Sequence, residues 1–281
     1  VKDYRYVVTD VFTDTPLAGN QLAVFTDARG LDDDRMQRLA RELNLSETTF
    51  VLPSEQSGHA RIRIFTPTVE LPFAGHPILG TAFVLAGPMQ LAQITLDARV
   101  GPVPVDLVRD ESGRIVFGWM TQPVPRVDLF ERADELLAAL GLERSELPVE
   151  CYDNGPRHLV VVLPSREDVA ALEPDINALR RLGAYGVSCI AGEGASWKSR
   201  MFAPVFGVDE DPATGSAAGP VACHLARHGR IAWGDEIVID QGMEVDRPSR
   251  LHARAEGGDG LIDRVQVGGQ AVIVARGQFR L

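Results

Sequence analysis

Two stretches half a chain apart repeat one order of residue types. The first runs Arg63-Ile-Phe65-Thr-Pro67, then Pro72-Phe-Ala-Gly75-His76-Pro77-Ile-Leu-Gly80. The second runs Arg200-Met-Phe202-Ala-Pro204, then Pro212-Ala-Thr-Gly215-Ser216-Ala-Ala-Gly219. Each reads as a strand, a loop, and a helix that opens on glycine and is broadly apolar where it starts. A helix apolar on every side has to be buried, so each copy needs a sheet to wrap its own helix. The spacing therefore predicts a duplicated domain of the α+β class. Each of the two related domains is expected to be a curled, mostly antiparallel sheet or barrel around a central α-helix. A chain of 281 residues has room for two such units. The boundaries are expected at 1–122 and 123–281, with the last strand able to return to the first unit. The Pro-rich stretch 121–128 reads as an extended linker.

A helix start presents backbone N–H groups with no intrahelical partner and the positive end of the helix dipole. Two such starts facing each other across a cleft would hold a small anion. The formal net charge of −11 argues against nucleic acid and anionic membrane as partners. An acidic substrate must then be drawn by local fields, and the helix starts supply them. Cys151, Cys189 and Cys223 form no CxxC pair and no metal-ligand spacing, which fits a reduced, cytoplasmic chain. No signal segment opens the sequence and no apolar run is long enough for a bilayer. No P-loop occurs, and 192–197 fails the GxGxxG pattern because Trp197 stands at its third glycine. Neither a cofactor nor a metal is expected.

In the first half, strands are expected at 4–12, 21–25, 48–52 and 60–65. A surface helix from Asp32 to Asn44 carries Met36, Leu39, Ala40 and Leu43 on one face. The buried helix starts at His76, with Pro77 where a missing N–H costs nothing, and further strands follow at 93–97, 103–108 and 114–119. The second half reads as a helix over 129–140, a turn at Asn154-Gly-Pro, a strand at 157–163, a short helix at 178–182 and strands at 186–190 and 199–202. An acidic loop at 206–212 then leads to a helix running to His228, followed by strands at 236–240, 251–255, 264–267 and 271–275. Glu47 falls at the mouth of a strand, His76 and Ser216 at matching helix starts, and Asp211 beside the second start. Each has a plainer reading: Glu47 as a solvated rim residue, His76 and Ser216 as helix caps, Asn20 as a turn residue. Taken together they amount to a carboxylate base, a neutral imidazole, a hydroxyl and an anion cleft, which is the equipment of cofactor-free proton transfer.

The stretches Asn44-Leu-Ser-Glu47-Thr-Thr-Phe50, Glu70-Leu-Pro-Phe-Ala-Gly-His76-Pro77, Asn154-Gly-Pro-Arg-His158, Glu210-Asp-Pro-Ala-Thr-Gly-Ser-Ala-Ala-Gly-Pro220 and Cys223-His-Leu-Ala-Arg-His-Gly229 resemble the phenazine-biosynthesis PhzF family over nearly the whole chain. The resemblance implies the diaminopimelate-epimerase-like fold, two related barrels with the site between them, and a homodimer. It implies isomerisation of trans-2,3-dihydro-3-hydroxyanthranilate, a small carboxylate-bearing substrate. By motif match Glu47 would move the ring proton, while His76, Asp211 and Ser216 would polarise and orient the ring. Gly75 and Gly215 would hold the carboxylate, and Asn20 and Ser46 would line the substrate site. Gln21 departs from the family, where proline is frequent after the asparagine. Two rivals remain at this stage. A two-base racemase or epimerase on the same fold would need opposed bases, usually thiols, where His76 and Ser216 stand. A non-catalytic anion binder would have no need of Glu47.

Overall fold

In the computed structural model, which describes residues 1–55 and 58–281, the chain divides into two compact units. The first is Val1–Thr121 with Gly268–Leu281, and the second is Gln122–Val267. The first contains β1 (Asp3–Val11), β2 (Asn20–Phe25), α1 (Asp33–Leu43), β3 (Glu47–Leu52), β4 (Ala60–Phe65), β5 (Glu70–Leu71), α2 (Gly75–Met89), β6 (Gln93–Ala98), β7 (Gly101–Arg109) and β8 (Ile115–Gln122). β1/β2 is antiparallel, β2/β3 parallel, β3/β4 antiparallel, β4/β6 parallel and β6/β7 antiparallel, with β5 added antiparallel to β4. One face of this sheet carries Phe25, Phe50 and Phe65, which pack with Met36, Leu39 and Ala40 of α1. α1 forms there because Asp32 caps its start by accepting from the Arg35 N–H, and Asn44 ends it in the left-handed conformation. The other face wraps α2, whose first ten residues are all buried. Gly80 lets the helix approach that face: a Cβ there would lie 2.7 Å from both Leu22 Cδ2 and Val11 Cγ2.

The second unit contains β9 (Arg126–Leu129), α3 (Ala133–Leu140), β10 (Glu150–Asp153), β11 (Arg157–Val162), α4 (Arg166–Ala170), α5 (Ile176–Leu182), β12 (Gly186–Glu193), β13 (Ser196–Ala203), β14 (Val208–Asp211), α6 (Gly215–Arg227), β15 (Glu236–Gln241), β16 (Ser249–Gly258) and β17 (Leu261–Gly269). Its pairings repeat those of the first unit in order: β10/β11 antiparallel, β11/β12 parallel, β12/β13 antiparallel, β13/β15 parallel and β15/β16 antiparallel, with β14 added to β13. The registers match as well. Phe50 stands opposite Arg63 across β3/β4, and Cys189 stands opposite Arg200 across β12/β13. α6 takes the place of α2 and is buried from Gly215 to Ala226. The outer face carries Leu159, Val161, Val187, Cys189 and Phe202 against α3, α4 and α5. The final strand, β18 (Ala271–Arg280), pairs antiparallel along the whole of β1.

Three expectations change at this level. Residues 126–129 are not part of a linker, and Leu129 does not begin a helix. They form β9, paired with β10 from Arg126–Asp153 to Leu129–Glu150. Pro123 and Pro125 sit just before this strand, where no ladder N–H is required of them, and the helix starts later, at Ala133. The loops ahead of the buried helices contain the short strands β5 and β14. Two and four mainly acidic residues carry too little pattern to announce a strand, and their pairing is imposed by the neighbouring strand. The strand β10 and the helix α4, absent from the sequence reading, are likewise too short to show a period.

Because Gly80 touches two methyl-bearing side chains of the wrapping sheet, Gly80→Val should overpack the first unit. Urea unfolding is expected to show a loss of about 1–3 kcal/mol.

Candidate active site

The parallel register sets Glu47 directly beside Leu22. Neighbouring positions in register share a face of the sheet, and Leu22 faces α2, so Glu47 also points at the start of α2. There its Oε2 lies 3.3 Å from Nε2 of His76, with the carboxylate side chain 14% exposed and the imidazole 3%. Burial pushes the His76 pKa down to about 3, against a smaller upward effect of a hydrogen bond to the Gln21 backbone. The contact is therefore a carboxylate against a neutral ring rather than an ion pair. Asn20, fully buried, opens β2 on the same face as Leu22, and half-buried Ser46 immediately precedes Glu47. Ala74 occupies the cap position of α2 and offers no side-chain hydrogen bond. The first-turn amides at Gly75 and His76 thus have neither an intrahelical acceptor nor a side-chain cap.

In the second unit Thr214, not Ser216, takes the cap position, and it makes no side-chain cap. Its hydroxyl instead donates to Asp211 Oδ2 at 2.5 Å, and Gln241 Nε2 donates to Thr214 Oγ1 at 3.1 Å and to the Asp211 carbonyl at 2.7 Å. Ser216, one place inside the helix, is buried with its hydroxyl relieved of capping. Pro220 removes the N–H that the Ser216 carbonyl would otherwise accept. Asn154 Nδ2 supplies that donor at 2.9 Å, and Gln122 Nε2 donates to the Gly215 carbonyl at 2.7 Å. The Gln122 Oε1 rests where a side chain at Gly219 would stand. Asn154, Gln122 and Gln241 were not among the candidates. Two signals were available: Asn154 heads one of the stretches that carry the family resemblance, and the proline four residues after Ser216 announces an orphan carbonyl in an otherwise helical run.

The matched registers place Gly75 with Gly215 and His76 with Ser216, and they place Glu47 with Gly186. Glu47 lies three residues before Phe50, and Gly186 three before Cys189, in strands whose pairing is equivalent. The copy therefore lacks a carboxylate at that point. The space beside Gly186 is taken by Met201, whose Cε would be 2.3 Å from a Cβ there, and by His158, whose Nδ1 would be 3.0 Å from it. His158 is buried, and desolvation holds its pKa down at about 4, so it too is a neutral ring.

Each unit ties the segment ahead of its buried helix with a bidentate arginine. Arg63 grips Glu70 through Nε–Oε1 and Nη2–Oε2, both 2.8 Å, and Arg200 grips Glu210 in the same fork at 2.9 and 2.8 Å. Both guanidinium groups lie 5.1 Å from the phenylalanine two residues on, Phe65 and Phe202.

The fold also assembles a cluster that spacing alone did not show. Glu150, His224 and His228 bring potential ligand atoms within 4.8 Å of one another. Tyr152 OH at 2.7 Å, His224 Nδ1 at 3.2 Å and His228 Nε2 at 3.1 Å converge on Glu150 Oε2, while Arg227 Nη2 reaches Oε1 at 3.3 Å. Burial alone would raise the Glu150 pKa, but these hydrogen bonds outweigh it and hold the carboxyl well below its usual range. With the Arg227 charge already in place, the cluster is a brace between β10 and α6 rather than a cation site.

The phenazine biosynthesis-like protein family, PhzC-PhzF, matches residues 9–277. The trans-2,3-dihydro-3-hydroxyanthranilate isomerase of Pseudomonas aeruginosa is 52% identical over 278 residues, which cover 99% of this chain and 100% of the relative. The crystal structure of a PhzF-family phenazine biosynthesis protein from Bacillus anthracis superposes with a TM-score of 0.85 at 26% identity, covering 100% of both chains. A hydroxyproline epimerase from Agrobacterium vitis shares the fold, with a TM-score of 0.69 at 12% identity over 98% of this chain and 92% of that one.

Two predictions follow from this geometry. Asn154→Leu leaves the buried Ser216 carbonyl without a donor, and should lower stability by about 1–3 kcal/mol in urea titrations. The second concerns acid. Below pH 6.5 the unfolded chain takes up protons that buried His76 and His158 refuse until about pH 3 and 4. Their effect on stability is absent above pH 6.5 and grows destabilising as pH falls toward those values. His158→Gln should recover on the order of 3 kcal/mol at pH 4 relative to the parent, and close to nothing from this source at pH 8.

Proposed function

The chain belongs to the PhzC-PhzF family of phenazine biosynthesis-like proteins, and we propose that it isomerises trans-2,3-dihydro-3-hydroxyanthranilate by moving one ring proton, with Glu47 as general acid and base. The observation that carries this reading is one carboxylate held 3.3 Å from a neutral imidazole at an uncapped helix start, with glycine at the duplicate position. A two-base racemase needs a second base, and the copy has Gly186 where Glu47 stands and Ser216 where His76 stands, while its Asp211 carboxylate accepts from the Thr214 hydroxyl. A pure anion binder gains nothing from a carboxylate beside its amides, since that charge repels the ligand.

Ionised Glu47 takes the proton from a ring carbon, and the electron pair of that C–H bond moves into the conjugated diene. The carboxylic acid so formed exchanges with solvent and returns a proton to another ring carbon, which restores the carboxylate and leaves an enol that relaxes to the ketone. The conjugation activates the proton, so one positioned acid–base group, worth roughly 10²–10⁴ in rate, is matched to the task. His76, kept neutral by burial, polarises without adding charge, and Asp211 and Ser216 orient the substrate. The family resemblance supports carboxylate binding by the amides at Gly75 and at Gly215, each helix start contributing on the order of 0.3–2 kcal/mol. Asn20 and Ser46 line the substrate site. No step calls for a cofactor. The three cysteines are unpaired, which supports a reducing, cytoplasmic setting, and no helix among the described residues is long and apolar enough to cross a membrane. The family resemblance supports a homodimer, to be checked by light scattering at twice the chain mass.

Glu47→Gln should keep the melting temperature and the binding of a carboxylate analogue while turnover drops by about 10²-fold or more. In deuterated water the parent enzyme should consume the diene absorbance and return product with deuterium in the ring. Wild-type turnover by Glu47→Gln would remove Glu47 from the mechanism.

A further inference from the structure

We infer that Arg63 and Arg200 are positioning residues, each setting its unit's reactive groups by gripping the arms of chain that carry them. The inference rests on the roles proposed above for Glu47, His76 and Asp211. In the first unit two arms matter. One is α1, whose end leads within a few residues to Ser46 and Glu47; the other is the loop from β5 to α2, which leads to Gly75 and His76. Arg63 holds both. Its Nε and Nη2 take the two oxygens of Glu70, the first residue of β5, and its Nη1 takes Asp33 Oδ1, 84% exposed at the start of α1, at 2.5 Å. A single planar group thus spans the two segments whose side chains must meet at 3.3 Å. The pair is well shielded, with Arg63 14% and Glu70 18% exposed, so solvent screens it little compared with a surface pair.

Arg200 repeats the grip on the second unit. Its fork takes Glu210, which directly precedes Asp211, and its Nη1 donates to the carbonyls of Leu172 at 2.6 Å and Ala170 at 3.1 Å, at the end of α4. Glu70 and Glu210 both lie five residues before the glycine that opens the buried helix. The second arm held by Arg200 leads on to Gly186, where no base stands. The duplicated device therefore serves different ends. Arg63 sets the geometry of proton transfer, and Arg200 sets the helix start and the carboxylate that orient the substrate. Lysine cannot replace either, since one ammonium cannot present the fork and a third donor together.

The test compares Arg63→Lys, Arg200→Lys and, as a control, Lys198→Met. The control breaks an equally shielded ion pair, Lys198 with Glu244 at 2.6 Å, that touches neither of the arms held by Arg63. Arg63→Lys is expected to lower kcat about tenfold or more with KM little changed, because small displacements of a base cost rate steeply. Arg200→Lys should mainly raise KM, and Lys198→Met should lower the melting temperature while leaving kcat near the parent value. A second readout is independent of turnover: the ring ¹⁵N resonances of His76, which report its tautomer and surroundings, should shift in Arg63→Lys and stay in Lys198→Met. If Arg63→Lys does not fold, Glu70→Gln removes the charge from the same grip and should move kcat and the ring resonances in the same direction. A folded Arg63→Lys with parental kcat and parental His76 resonances overturns the inference. Absence of turnover in the parent protein defeats the proposed reaction, and the His76 resonances then decide the positioning role alone.

Discussion

A helix that is buried on every side takes its N-terminal amides into the protein with it. That constraint runs through both units. α2 and α6 are apolar enough to demand a wrapping sheet, and the sheet's curl leaves each helix start enclosed. Ordinary proteins answer with a Ser, Thr, Asp or Asn cap. Here Ala74 has nothing to offer, and the Thr214 hydroxyl is turned away to Asp211. The donors are left for something else, and a carboxylate is the group that suits them best.

Leaving a buried helix start uncapped requires support from outside the helix. Asn154 and Gln122 hold the first-turn carbonyls of α6, compensating for Pro220 and using the room left by Gly219. Gln241 fixes Thr214 and the Asp211 backbone. The bidentate arginines hold the preceding loops in both units. These side chains touch no reacting atom in the proposed chemistry. In that chemistry they would position the reacting groups, since a shift of a few tenths of an ångström at Glu47 or His76 changes the 3.3 Å contact between them.

The duplication is close in topology and unequal in chemistry. Strand order, pairing sense and register repeat through β1–β7 and β10–β16. Yet the position that carries Glu47 in one unit carries Gly186 in the other, beside the neutral ring of His158. The two units thus share a fold while differing in the side chains that stand at a few equivalent points. This is also why the likeness to an epimerase at 12% identity shows the fold and not the reaction.

The sequence by itself determined the large-scale plan. The repeated Arg-x-Phe-x-Pro and glycine-headed helices announce two sheets around two buried helices, because a helix apolar nearly all round has no other place to go. It also marked Glu47, His76, Asp211 and Ser216, whose positions relative to those repeats are local and so legible. Short segments such as β5, β9, β10 and β14 span one or two strand periods, too few to set a pattern, and their pairing is a property of their neighbours. Only the tertiary structure decided that Thr214 and not Ser216 sits at the cap. The same holds for Asn154 and Gln122 completing the first turn of α6, and for Glu150 meeting two histidines more than seventy residues away. It alone revealed that the counterpart of Glu47 is a glycine. Those outcomes depend on register between strands distant in sequence, and register is settled by packing and hydrogen bonding across the sheet, which no local pattern encodes.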